Sequence, residues 1–140
     1  MKNWYKRAQT KVFDPQRLDY EKVESLLTDF FNRNAGKWED STDEIGLVVE
    51  WNGENEYKTI GPIFGTEKEV VLPQPTQGWI EVGFFHNHTD GETFDLSDFD
   101  ISEAEAHVAR TKVPICFAVA GVSPYEENYA LNIEWFEENQ

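Results

Sequence analysis

Apolar positions along the chain come in short bursts, and their spacing changes from one burst to the next. Val23, Leu26, Leu27, Phe30 and Phe31 recur every three or four residues, one apolar stripe of a helix spanning about 18–34. Asn34-Ala35-Gly36 supplies its stop. Residues 44–51 form a compact apolar run that reads as a strand. Asn52-Gly53 is a hairpin turn and residues 56–60 the return strand. Residues 69–72 read as a short strand stopped by Pro73 and Pro75. Residues 79–86 make the next strand and a polar loop follows. A helix then runs from Ser97 to about Arg110, with an apolar strand at 113–120 and a last strand at 129–135. Residues 1–17 are polar and irregular, an N-terminal arm, which leaves 18–140 as the domain. This order predicts a single α/β or α+β domain built around one mixed sheet.

Composition narrows the partners. The 140 residues carry 12 Lys and Arg against 27 Asp and Glu, a net charge of −15. Nucleic acid and anionic membrane surfaces are poor partners for such a chain, because both demand basic residues. A protein or peptide with a basic face suits it better. The single cysteine, Cys116, lies in an apolar run, so it reads as a buried inert thiol, and no disulfide can form within the chain. No apolar stretch reaches the ~18 residues of a membrane span. The start of the chain lacks a secretory h-region, so the expected compartment is the cytoplasm. Trp38, Trp51, Trp79 and Trp135 read as packing residues. The acidic stretch Glu39-Asp40 to Asp43 reads as a solvated loop that could hold a basic substrate tail.

The chemistry concentrates at one place. Two of the three histidines, His86 and His88, flank a single residue at the end of an apolar strand, where i and i+2 point to the same side. Asp100, twelve residues after His88, can complete a three-ligand set of the catalytic-zinc type, which leaves a coordination position open. Ser97 precedes Asp100 by three residues, the spacing of a helix start. A hydrolase built on such a site needs a carboxylate base that does not itself bind the metal. Glu44, Glu50 and Glu81, near strand ends, are the candidates. His107, seven residues beyond Asp100, reads as a packing or surface histidine.

These motifs resemble the JAB/MPN, or JAMM, metalloproteases: a Glu on an early strand, His-x-His ending a later strand, and Ser-x-x-Asp opening the next helix. The phrases Gly83-Phe84-Phe85-His86-Asn87-His88 and Leu96-Ser97-Asp98-Phe99-Asp100-Ile101 are especially similar to small bacterial and phage-type members. The resemblance covers about residues 18–136. It implies a mixed central sheet flanked by helices in a cytidine-deaminase-like architecture. It also implies Zn2+ held by His86, His88 and Asp100, with Glu44 as the general base and Ser97 helping to hold the oxyanion or the water. Glu50 fits a solvent-facing residue beside the hairpin, and Glu81 a polar face. The implied substrate is an amide in a protein or peptide, a ubiquitin-like modifier or its conjugate among the options. Thr89 stands where the family usually has proline, and the His88–Asp100 interval is one residue longer than usual, which leaves Asp98 as a fallback ligand. Competing readings are a catalytically inactive interaction module of the same fold, a metal phosphoesterase of the PHP type, and an HNH nuclease. The phosphoesterase needs more histidines than the chain has. The nuclease disperses its three residues along a ββα motif and binds DNA, which the charge opposes.

Overall fold

The computed structural model describes residues 11–34, 42–67, 69–89, 91–126 and 128–138. Helix α1 (Tyr20–Arg33) begins where Asp19 accepts a hydrogen bond from the Lys22 N–H, and it ends at Asn34. Its apolar stripe buries Val23, Leu27 and Phe30. Five strands follow the predicted rhythm: β1 (Ile45–Trp51), β2 (Tyr57–Phe64), β3 (Ile80–Asn87), β4 (Ile115–Val122) and β5 (Tyr129–Phe136). Helix α2 (Asp98–Thr111) lies between β3 and β4.

The strands form one mixed sheet in the order β2-β1-β3-β4-β5. Only β3 and β4 run parallel, because α2 carries the chain back between them; the other pairs are antiparallel. The domain is therefore α+β. On one face α1 packs Val23, Leu27 and Phe30 against Leu47, Val49, Trp51, Phe85 and Cys116, all buried. On the other, Ala104 and Val108 of α2 meet Ile115 and Phe117, with Phe84 alongside. Pro62 lies in β2, an edge strand where its missing N–H interrupts no ladder. No helix among the described residues is long and apolar enough to cross a membrane.

Several expectations change. The hairpin loop is longer than two residues: Asn52 bonds across to Glu56, and the Asn52 Oδ1 accepts the N–H groups of Glu54 and Glu56. Gly53 there has φ +89°, the left-handed region that glycine adopts without strain. The strand predicted at 69–72 does not form. Val71 is exposed, and Pro73 and Pro75 lack the donors a ladder needs, so residues 69–79 cross the molecule as irregular chain. Glu50 is not solvent-facing: it is 1% exposed. Its Oε2 accepts the Thr76 N–H at 3.1 Å, and Lys58 Nζ lies 3.7 Å from Oε1. The alternation of β1 puts Glu50 under the 69–79 segment, which supplies that partner.

From residue 11 onward the arm lies against the sheet. Phe13 packs on Trp51 at 5.8 Å, and Lys11 Nζ reaches the carbonyls of Asn52 and Gly78. Residues 1–10, the Ala35-Gly36 stop, Trp38, Glu39 and Asp40 lie outside the described residues. The other three tryptophans pack as expected. Trp51 is fully buried, Trp79 lies under Lys58 Nζ at 4.3 Å, and Trp135 Nε1 donates to Glu24 at 2.9 Å. Burial pushes the Cys116 thiol far up.

Candidate metal centre

β3 is the strand that builds the site. Its alternation sends Phe84, His86 and then His88 to the α2 face, with the His86 ring stacked on Phe84 at 5.0 Å. α2 begins beside them. Ser97 is its N-cap: Ser97 Oγ accepts the Asp100 N–H at 3.1 Å, and Asp100 Oδ2 accepts the Ser97 N–H at 3.1 Å, a reciprocal capping box. That lock fixes the Asp100 carboxylate toward the histidines. His86 Nε2 lies 3.3 Å from Asp100 Oδ2, and His88 Nε2 3.8 Å from the same oxygen. One donor atom from each of the three residues lies within 4.8 Å of the others. Zinc bonds of ~2.0–2.2 Å at tetrahedral angles place ligand atoms roughly 3.3–3.5 Å apart, so small adjustments would seat an ion. Two imidazoles and one carboxylate suit a borderline divalent metal. The buried group His86–His88–Asp100 could thus hold a metal ion.

Asp98 and Phe99 are both exposed, Phe99 at 72%, while Asp100 is buried at 8%. Asp100 is therefore the carboxylate brought to the histidines. Thr89 is buried and donates its hydroxyl to the Glu67 carbonyl at 3.2 Å. It ties the site to the backbone at Glu67.

His88 is held from several sides. Its Nδ1 lies 2.6 Å from the Thr93 carbonyl, which makes Nδ1–H the donor and leaves Nε2 with a lone pair for a metal. Its N–H donates to the Ala120 carbonyl at 2.7 Å, and the Tyr129 hydroxyl donates to its carbonyl at 3.1 Å. The loop carrying Thr93 is stitched to β4 by Val122 N–H to Glu92 O and Phe94 N–H to Val122 O. The Asp100 carboxylate beside it raises the pKa of His88 despite its burial. Burial alone would push Asp100 up, but the neighbouring His86 and His88 rings and the hydrogen bond from the Ser97 N–H outweigh it and hold the carboxyl well below the usual carboxylate range.

Glu44 precedes β1 and lines the same cleft as His86, His88, Ser97 and Asp100, a space of about 540 Å³. Burial pushes its carboxyl up to about 7; His88 opposes this, while Asp100, Glu92 and Glu69 add to it. Glu50 is committed elsewhere, as described above. Glu81 pairs across the strands with Glu50, and its carboxyl is raised mainly by burial. Of the three candidate bases, Glu44 alone lines the cleft with all three metal-site residues. Gly46 pairs with His86, and a Cβ there would meet Val70 Cγ1 at 2.8 Å, so glycine leaves room for Val70 in the wall of the cleft.

A second, smaller cavity continues from the first past Phe84, Phe99 and Asp100 and runs along α2 to His107. His107 is buried. Its pKa is lowered to about 4 by burial and then by Arg110, and its Nε2 has no hydrogen-bond partner. It packs against the sheet and is not among the three converging residues.

The rim of the cleft is acidic: Glu67, Glu69 and Glu92 join Glu44. Sequence reasoning missed these, the Thr93 carbonyl, and the buried amide of Asn87. A signal for Asn87 was present, since a strand residue between two histidines that share a face must face the opposite pleat, where its neighbours are apolar. No family model and no curated protein matches the chain.

Proposed function

We propose that the chain is a zinc-dependent peptidase or isopeptidase of the JAB/MPN type. One observation carries the reading: the metal-competent group His86–His88–Asp100 shares its cleft with Glu44, a carboxyl raised to about 7. A general base is most effective with a pKa near the working pH. A zinc ion in the site would supply Lewis acidity, easing ionisation of water and polarising the scissile carbonyl. Glu44 takes the proton of the attacking water and hands it to the leaving nitrogen. The Ser97 Oγ lone pair is engaged by the Asp100 N–H, which leaves its O–H to donate to the carbonyl oxygen as that gains charge.

The glutamates around the cleft favour a substrate with a basic stretch, a ubiquitin-like modifier or its conjugate among them, and they disfavour the phosphoesterase alternative by repelling phosphate. An inactive interaction module remains the alternative. The separating experiment is Glu44→Gln. Zinc stoichiometry should stay at wild-type level while amide cleavage falls by about 10²–10⁴-fold. Wild-type cleavage by that variant removes Glu44 from the mechanism. A wild-type protein that binds no zinc removes the whole reading. Zinc bound without cleavage of any peptide or isopeptide in a panel favours the interaction module.

A further inference from the structure

The residue between the two histidines is not a spacer. Asn87 is 0% exposed and lies on the pleat opposite His86 and His88. Its Oδ1 accepts the Ile45 N–H at 2.6 Å, and its Nδ2 donates to the Asp43 carbonyl at 3.3 Å. Those two backbone groups flank Glu44. The backbone groups of Glu44 itself point the other way: its N–H donates to Thr66 O at 2.7 Å, and its carbonyl accepts from Gly65 N–H at 2.8 Å. Four hydrogen bonds therefore clamp Asp43-Glu44-Ile45 from both sides.

The β1–β3 ladder reaches only Gly46↔His86, so backbone pairing with β3 stops short of Glu44. The Asn87 side chain continues the pairing past that point. It is the group through which β3, the strand that carries His86 and leads into His88, also grips the Glu44 segment.

We propose that Asn87 is a positioning residue that sets Glu44 against the metal site by holding the backbone on either side of it. This rests on the peptidase reading for its catalytic meaning, though its structural part can be measured without activity. Both polar ends of the amide are used. Asp would keep an acceptor for Ile45 but lose the donor to Asp43, and Ala would lose both.

The test uses the full chain with Asn87→Ala and Asn87→Asp. Three readouts are taken: amide hydrogen exchange at Ile45, the zinc dissociation constant, and the carbon shift of the Glu44 carboxyl as zinc is added. In Asn87→Ala, Ile45 exchange should speed up by about tenfold or more relative to amides of β4. Zinc affinity should stay within about threefold, because the histidines and their partners are untouched. The zinc-induced shift of the Glu44 carboxyl should shrink. Asn87→Asp should fall between wild type and Ala at Ile45. If cleavage is measurable, kcat should drop about 10–100-fold with KM little changed.

Ile45 exchange equal to wild type in Asn87→Ala overturns the proposal. So does uniform acceleration of all amides together with weakened zinc binding, which marks a merely structural residue. Should the Ala variant not fold, Asn87→Asp decides by the zinc-induced Glu44 carboxyl shift, since it keeps the Ile45 acceptor and loses only the donor to Asp43; a shift equal to wild type then overturns the proposal. If the wild type cleaves no amide, the peptidase reading falls, and Asn87 is still judged by Ile45 and the Glu44 shift.

Discussion

Replacing Asp100 by Asn tests the metal centre with little disturbance to the fold. An Asn carbonyl oxygen can still accept the Ser97 N–H, so the helix start keeps its reciprocal cap, and what disappears is the anionic donor that faces both histidines. Ligand that binds only the folded state stabilises it by RT ln(1 + [L]/Kd), ~4.1 kcal/mol at a thousandfold excess over Kd. For a chain of 140 residues, an unfolding entropy of ~2.1 cal/mol/K per residue gives ~0.29 kcal/mol per degree, so zinc should raise the wild-type Tm by ~14 °C. Even the loss of an outer-shell partner costs a metal site ~10–100-fold in affinity, so losing a ligand should cost at least ~100-fold. At the same free zinc the variant would gain only ~1.4 kcal/mol, or ~5 °C and less. The assay is differential scanning calorimetry with and without buffered zinc, with the metal-free Tm values as the control for folding. Equal zinc shifts in wild type and Asp100→Asn would refute Asp100 as a ligand. No shift in the wild type would refute the site.

Three further outcomes follow from the same geometry. Ser97→Ala removes the N-cap acceptor and should cost ~1 kcal/mol of stability, a Tm fall of ~3 °C, which Ser97→Thr should largely restore; an unchanged Tm would mean that the cap is not holding α2. His88 and Glu44 both have raised pKa values, Glu44 to about 7, so the metal-free site holds protons that a cation displaces. Zinc affinity should therefore fall as pH drops from 7.5 to 5.5, and calorimetry in buffers of different ionisation enthalpy should register proton release; pH-independent affinity would contradict both shifts. Trp51→Ala empties a fully buried position between α1 and the arm, and should lower stability by ~3–5 kcal/mol, or ~10–17 °C in Tm. A shift under 5 °C would say that this face is not the main core.

The parts legible in the sequence were those where local and tertiary demands coincide. Val23, Leu27 and Phe30 recur at helical spacing because one face of α1 is buried, and that periodicity needs no partner to be read. Ser97-x-x-Asp100 is legible because a capping box is entirely local, and the same lock that starts the helix aims the carboxylate. The illegible parts depend on a distant partner. Glu50 carries the charge of a surface residue, and only the passage of Thr76 and Lys58 over it makes burial tolerable. Residues 69–72 have strand-like side chains but no neighbouring strand to receive their backbone. The Thr93 carbonyl leaves no mark in the sequence, because any residue supplies a carbonyl; its position is set by the bridge to Val122.

The Tyr129 hydroxyl is what ties β5 to His88. Every converging donor group among the described residues comes from residues 86–100, yet Ala120, Val122 and Tyr129 hold His88 and its loop in place. The exposed turn at Pro124-Tyr125-Glu126 lies between β4 and β5. A chain opened there would leave all the donors on one fragment and part of their scaffolding on the other. Metal capture by the mixture would then report that two separate polypeptides had found each other, which would make the centre a gauge of proximity as well as of chemistry.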